Sequence, residues 1–262
     1  MGSATTQALT AARAELAAAK SVKLATAEQL FEVAVVVGDS AALLTALTAF
    51  ETDAAPKKAL VKKLFGSVDS NVQKLVEGLV SSRWSAPQDL LTALEELGIR
   101  AAAASEKTAI DEELLAFARI VSSDPDLELA IGSKLSPVAA KVATVQQLLN
   151  KKASAATVAV VAQLVRQPLG RRIGELLGNA AAVAADENGY VLAHVVTASP
   201  LAAAQQERLQ HTLAGRAGGR EVRLNVVVDP SILGGLKVQI GDDVIDGSIA
   251  ARLGDLRLKL VG

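Results

Sequence analysis

Residues 229–249, DPSILGGLKVQIGDDVIDGSI, leave the chain very little choice of local fold. Asp229-Pro230 opens a turn, because proline fixes φ and holds the residue before it in an extended conformation. Gly234 and Gly235 permit backbone angles that a side chain resists. Leu236, Val238 and Ile240 then alternate with Lys237 and Gln239, the period-2 pattern of a half-buried strand. Gly241-Asp242 signals a hairpin turn, and Val244-Ile245 resumes the apolar run as a return strand. Asp246 and Gly247 form an exit turn, with Ser248 placed to cap a following helix. The segment reads as a strand, a hairpin and a helix start.

Upstream the period changes. Up to about residue 185, apolar residues recur at i, i+3, i+4 and i+7, as in Leu30, Val33, Ala34 and Val37, the stripe of an amphipathic helix. The pattern predicts helices near residues 5–20, 26–37, 41–50, 56–65, 71–81 and 88–104, then 111–121, 137–149, 153–165 and 169–185. Thr26 and Gln29 read as a capping box for the second helix, and Pro56 as a first-turn proline for the fourth. Asp186-Glu187-Asn188-Gly189 ends the helical pattern. Beyond it come a strand at 190–197, a helix at 201–214, a strand at 221–228, the hairpin and a last helix, a β-α-β-β-α order. The expected class is mainly α with a small α+β C-terminal domain. Aromatic residues are 2% of the chain, so the core must come from Leu, Val, Ile and Ala.

The helical part repeats itself. Adding 84 to a residue number carries Leu30 to Leu114, Phe31 to Leu115, Val33 to Phe117, Ala34 to Ala118 and Val37 to Val121. The same offset carries Leu47 to Ile131, Lys57 to Lys141, Val61 to Val145 and Phe65 to Leu149. With one extra residue, Leu75 meets Val160, Val76 meets Val161 and Leu79 meets Leu164. Agreement of apolar positions, turns and a lysine through three successive helices is more than two Leu/Ala-rich helices share by period alone. Three domains are expected: residues 1–105, a duplicated helical unit at 106–188, and 189–262, with the seam between the helical units at Ser105-Glu106-Lys107-Thr108.

Composition and site chemistry point away from catalysis. A formal charge of -1 is no nucleic-acid footprint. The chain has no cysteine, which removes thiol nucleophiles, disulfides and thiolate metal sites. Neither glycine-bearing turn, Gly234 to Gly241 or Gly215 to Gly219 with Arg216 and Arg220, ends in the Lys-Ser/Thr of a phosphate loop, and structural turns are the expected roles. Arg166, Arg171 and Arg172 read as a solvated helix face. His194 lies on a strand without the serine, cysteine or carboxylate constellation that a general base would serve, and His211 on a helix surface. Asp242, Asp243 and Asp246 lack the alternating oxygen spacing of a calcium loop. Trp84 is either a packing residue or a partner anchor. No catalytic, cofactor or metal site is expected, and no run in the N-terminal residues is long enough to span a bilayer.

Asp229, Pro230, Gly234, Gly235, Gly241, Asp242, Ile245, Asp246, Gly247 and Ser248 together resemble the C-terminal signature of the delta subunit of F-type ATP synthase, the oligomycin-sensitivity-conferring protein family. Ala193-His194-Val195, Ala198-Ser199-Pro200-Leu201 and Arg252-Leu253 with Leu256 extend the likeness from Gly189 to the end. The added helical unit resembles the enlarged delta subunits of actinobacteria. The resemblance implies a non-catalytic stator subunit, peripheral on the cytoplasmic face of the plasma membrane. It implies a helical region that holds N-terminal segments of the alpha subunits and a C-terminal domain that grips the C-terminal end of the b subunit. Direct membrane insertion and nucleic-acid binding are not expected. A helical-repeat adaptor of unrelated function, or a nucleotide-binding protein using the glycine turns, is the alternative.

Overall fold

The computed structural model describes residues 2–253, apart from Lys20, Lys107, Lys134, Ser231, Asp242 and Arg252. It divides into two compact units, Met1–Ala184 and Ala185–Gly262.

The first unit is helical: α1 (Ser3–Ala18), α2 (Leu24–Gly38), α3 (Ala41–Thr48), α4 (Ala54–Leu64), α5 (Ser70–Ser81), α6 (Gln88–Ser105), α7 (Ile110–Ser123), α8 (Pro125–Gly132), α9 (Val138–Leu149), α10 (Ala155–Arg166) and α11 (Ile173–Glu187), the last of which runs on past its boundary. The predicted stripe on α2 is in the core, with Leu30, Val33, Ala34 and Val37 all buried. The capping-box expectation needs correction. α2 starts at Leu24, so Thr26 is its third residue and accepts a hydrogen bond from the Lys23 N–H at 3.3 Å. Gln29 works elsewhere: its Oε1 accepts from the N–H of Asp69, the N-cap of α5, at 2.9 Å.

The 84-residue offset carries α3 onto α8 residue for residue and the start of α4 onto the start of α9. With one residue added it carries α5 onto α10 residue for residue. Burial follows: Leu30 and Leu114, Val61 and Val145, and Lys57 and Lys141 are buried pairs, while Leu64 and Leu148 are both exposed. Even the helix-to-helix cap recurs. Glu113, the counterpart of Gln29, accepts from the N–H and hydroxyl of Ser154, the N-cap of α10, at 2.9 and 2.7 Å.

Helices from both halves meet at α6. Moved by 85, the bounds of α1 fall inside those of α6, and α1, α2, α5 and α10 all pack on it. From Leu90 to Ala103 every residue except Thr92 is buried, as expected of a helix covered on all sides. Gly98 permits the approach of α2, since a Cβ there would sit 2.2 Å from the Phe31 ring.

The second unit holds β1 (Val191–Thr197), α12 (Ala203–Arg216), β2 (Val222–Val228), β3 (Leu236–Ile240) and β4 (Asp243–Asp246), with helical residues resuming at Ile249. The sheet order is β2-β1-β3-β4. β1 and β2 run parallel with α12 as the crossover, and β3 and β4 add antiparallel partners. Ala193, Val195, Val222 and Val238 form one buried face against Leu213 of α12. The expected class, mainly α with a small α+β C-terminal domain, is what the chain adopts.

Candidate partner-binding site

The segment from the turn before β3 to the helix start after β4 is tied down at almost every signature position. Asp229 donates its N–H to Thr197 O at 2.8 Å, and its carbonyl accepts from Ile232 across the Pro230 turn at 3.2 Å. Gly234 and Gly235 take φ of 120° and 84°, and Gly241 takes 55° at the head of the hairpin. A Cβ on Gly235 would lie 2.5 Å from Gly247 O, and one on Gly234 2.8 Å from Ile249 Cδ1. The glycine pair is therefore pressed against the exit turn, a contact that the sequence pattern did not reveal. Gly247 N–H bonds to Leu236 O at 2.9 Å, and Ile249 N–H to Gly234 O at 3.0 Å. Ile245 sits opposite Val238 in the ladder and packs against the sheet core. Asp246 Oδ1 accepts from the Ser248 N–H at 3.0 Å, and Ser248 Oγ accepts from the Ala251 N–H at 3.2 Å, which makes Ser248 the expected cap. Hydrogen bonds from Ser248, helped by Lys237, hold the Asp246 carboxyl below its usual pKa. Asp242, and the Arg252 and Leu256 of the expected last helix, lie outside the described residues.

The arginine patch needs correction. Arg171 is in the loop before α11, and its Nη2 lies 2.8 Å from both carboxylate oxygens of the buried Glu95. Burial pushes the Glu95 carboxyl up in pKa against the pull of Arg171. Arg220, considered with the 215–219 turn, is an ion-pair partner of Asp186 at 2.8 Å and donates to Tyr190 O at 3.2 Å. His194 Nδ1 lies 3.0 Å from Asn225 Nδ2, and burial lowers its pKa.

Two concavities adjoin in the first unit. A trough runs along α1 past the end of α5, lined by Ser3, Ala4, Gln7, Ala8, Ala11 and Arg83. A cavity of about 290 Å³ opens beside it, sharing Ala4 and Arg83 and adding Lys57, Phe50 and Trp84. Trp84 donates its ring N–H to Leu79 O at 2.9 Å, so it packs on α5 while one wall of it borders the cavity. Phe50 is 69% exposed, with the Arg83 guanidinium 4.0 Å above its ring. In the second helical copy the corresponding pair, α6 and α10, has α2 packed against both. Among the described residues no group of three His, Cys, Asp or Glu could hold a metal. No single helix among the described residues is long and apolar enough to cross a membrane.

Comparison with known proteins agrees with the signature. The family described as ATP synthase delta (OSCP) subunit matches residues 92–260, beginning inside α6. The chain is 48% identical to ATP synthase subunit delta of Leifsonia xyli over 100% of both chains. It is 40% identical to that of Acidothermus cellulolyticus over 88% of this chain and 86% of the relative, and 35% identical to that of Streptomyces griseus over 100% of both. A chain of the Toxoplasma gondii mitochondrial ATP synthase hexamer is similar at 21% identity and a TM-score of 0.42, over 64% of this chain and 98% of that one. The chain belongs to the ATP synthase delta (OSCP) subunit family.

Proposed function

We propose that the chain is the non-catalytic peripheral-stalk subunit of a proton-translocating F-type ATP synthase. The observation that carries this is its end-to-end likeness, at 48% identity, to a chain named ATP synthase subunit delta. In this role it links the catalytic head to the stator, so that rotor torque drives ATP synthesis instead of spinning the head. The helical copies, residues 1–105 and 106–188, hold N-terminal segments of alpha subunits, and residues 189–262 hold the C-terminal end of the b subunit. Attachment to the cytoplasmic face of the plasma membrane then comes through these partners rather than by insertion.

The trough along α1 suits a partner helix. Ala4, Ala8 and Ala11 lie on its floor, and small side chains let a second helix lay its apolar face close. Two separate modules engaged at once gain slow release through effective concentration, which a joint under load requires. The test uses the full chain with two peptides carrying different labels, one from the alpha N-terminus and one from the b C-terminus. Both should bind together without competing. Failure of either to bind, or competition between them, would refute the assignment.

A further inference from the structure

Lys57 and Lys141 occupy matching places in the two helical copies, and each is 6% exposed. Lys141 is satisfied, because its Nζ donates to Ser133 O at 3.0 Å. Lys57 makes no hydrogen bond or ion pair among the described residues, although Glu51 and Asp53 stand in the preceding loop. Burial holds its amine below the usual lysine pKa. The second copy shows that the same fold can give this lysine a carbonyl partner, whereas Lys57 faces the cavity it lines.

The surroundings of Lys57 are built for an anion. It lines the cavity of about 290 Å³ together with Thr52, Ala54, Arg83 and Trp84. α4 begins there, and its N-cap Asp53 makes no side-chain capping bond. The first turn of α4, whose Ala54 lines the cavity and whose Pro56 carries no N–H, places the positive end of the helix dipole at this wall. Arg83, stacked on Phe50, adds a second cation at the rim.

We propose that Lys57 anchors a carboxylate-binding pocket whose occupant is an aspartate or glutamate side chain of the alpha-subunit segment docked along α1. The proposal rests on the partner reading above. A peptide carboxylate fits better than a free inorganic anion because Phe50, Ala54, Val80 and Trp84, set among the threonines and serines of the lining, offer apolar contact to a methylene stem. The shared rim at Ala4 and Arg83 makes the pocket continuous with the trough where the peptide backbone would lie.

Trp84 is the chain's single tryptophan, so its fluorescence reads this cavity directly. The full chain is titrated with an alpha N-terminal peptide and with the same peptide in which every Asp and Glu is replaced by its amide. The acidic peptide should shift Trp84 emission. Lys57→Met should weaken its binding at least about tenfold, the scale of losing one member of a buried charge pair. The amide peptide should lose the same factor on the wild type and nothing further on Lys57→Met, the signature of a coupled pair. Lys57→Met should melt no lower than the wild type, whereas Lys141→Met should melt lower yet bind normally. Peptide binding indifferent to Lys57, or losses that multiply independently, would overturn the pocket and leave the partner reading intact. Wild type that binds no alpha peptide would overturn both. Inorganic phosphate that shifts Trp84 through Lys57 while the peptide does not would overturn the occupant.

Discussion

Gly235→Ala should damage the C-terminal unit far more than one methyl group usually can. At φ 84° alanine enters the left-handed region, at a cost of about 1 kcal/mol. The added Cβ would also lie 2.5 Å from Gly247 O and 2.8 Å from Ser248 Cα. Those are backbone atoms, so the clash is relieved only if the exit turn moves away from β3. That movement loosens the bonds from Gly247 N–H to Leu236 O and from Ile249 N–H to Gly234 O, each contributing about 1 kcal/mol. The sum is roughly 3 kcal/mol. Gly241→Ala is the control: φ is 55°, but nothing lies within 4 Å of the added Cβ, so only the conformational cost of about 1 kcal/mol applies. For a domain of this size each kcal/mol lowers the melting temperature by roughly 4–8 °C. Scanning calorimetry of the full chain, with hydrogen exchange on peptides from β1 and β3 to assign the transition, measures both shifts. Equal shifts for the two variants would refute the argument that contact with the exit turn, rather than backbone conformation alone, selects glycine at 235.

Two further outcomes follow from carboxylates held by partners distant in sequence. Arg171→Ala strands the Glu95 carboxylate and should cost about 3–5 kcal/mol. Urea denaturation followed by Trp84 fluorescence would measure that cost, and adding Glu95→Gln should recover much of it. Glu113 gives the opposite pH sign. Burial pushes its carboxyl up, but hydrogen bonds from Thr157 and Ser154 outweigh that and leave the pKa below the ordinary 4.5. Its stabilising effect is therefore present above pH 4.5 and lost as pH falls through the lower folded value. Glu113→Gln should flatten the acid limb of the stability curve, and an unchanged limb would show that the α7-to-α10 bond is not stabilising.

Where local chemistry decides structure, the sequence was legible. Alternation in Leu236 to Ile240 put β3 at its observed bounds, and the stripe through Leu30, Val33, Ala34 and Val37 identified a core face. The offset between the copies was visible because apolar positions must match where packing matches. Interactions between distant helices were not legible. Gln29 looked like a local cap because a glutamine three residues after a threonine carries that signal, yet its amide serves Asp69, forty residues away. Arg171 looked solvated because no aromatic residues interleave with the arginines around it, and only the fold brings Glu95 to it. The approach of Gly235 to Gly247 belongs to the same class, since two turns twelve residues apart close on each other through backbone atoms.

The charges on α6 make sense once that helix is counted in both copies. In sequence it closes the first helical unit, while the offset places it also as the counterpart of α1 at the opening of the second, and the family match begins within it. A helix at the edge of one bundle can turn its ionic side chains to water, as α1 does with Glu15. α6 has no such face. Glu95, Glu96 and Arg100 are buried with its leucines and alanines, so each needs compensation from a neighbour. Glu96 receives Arg13 from α1 at 2.6 Å and Arg100 from its own helix at 2.8 Å, and these hold its carboxyl below the usual pKa although burial pushes it up. Glu95 receives Arg171 from the far end of the second copy. The two neighbouring carboxylates thus point their requirements in opposite directions along the chain, one toward the first helix and one toward the last loop before α11. Separating the copies at 105–108 would leave the buried Glu95 without Arg171, a cost of several kcal/mol. Both helical copies therefore belong to the one compact unit Met1–Ala184, tied across residues 105–108 by the Glu95–Arg171 pair.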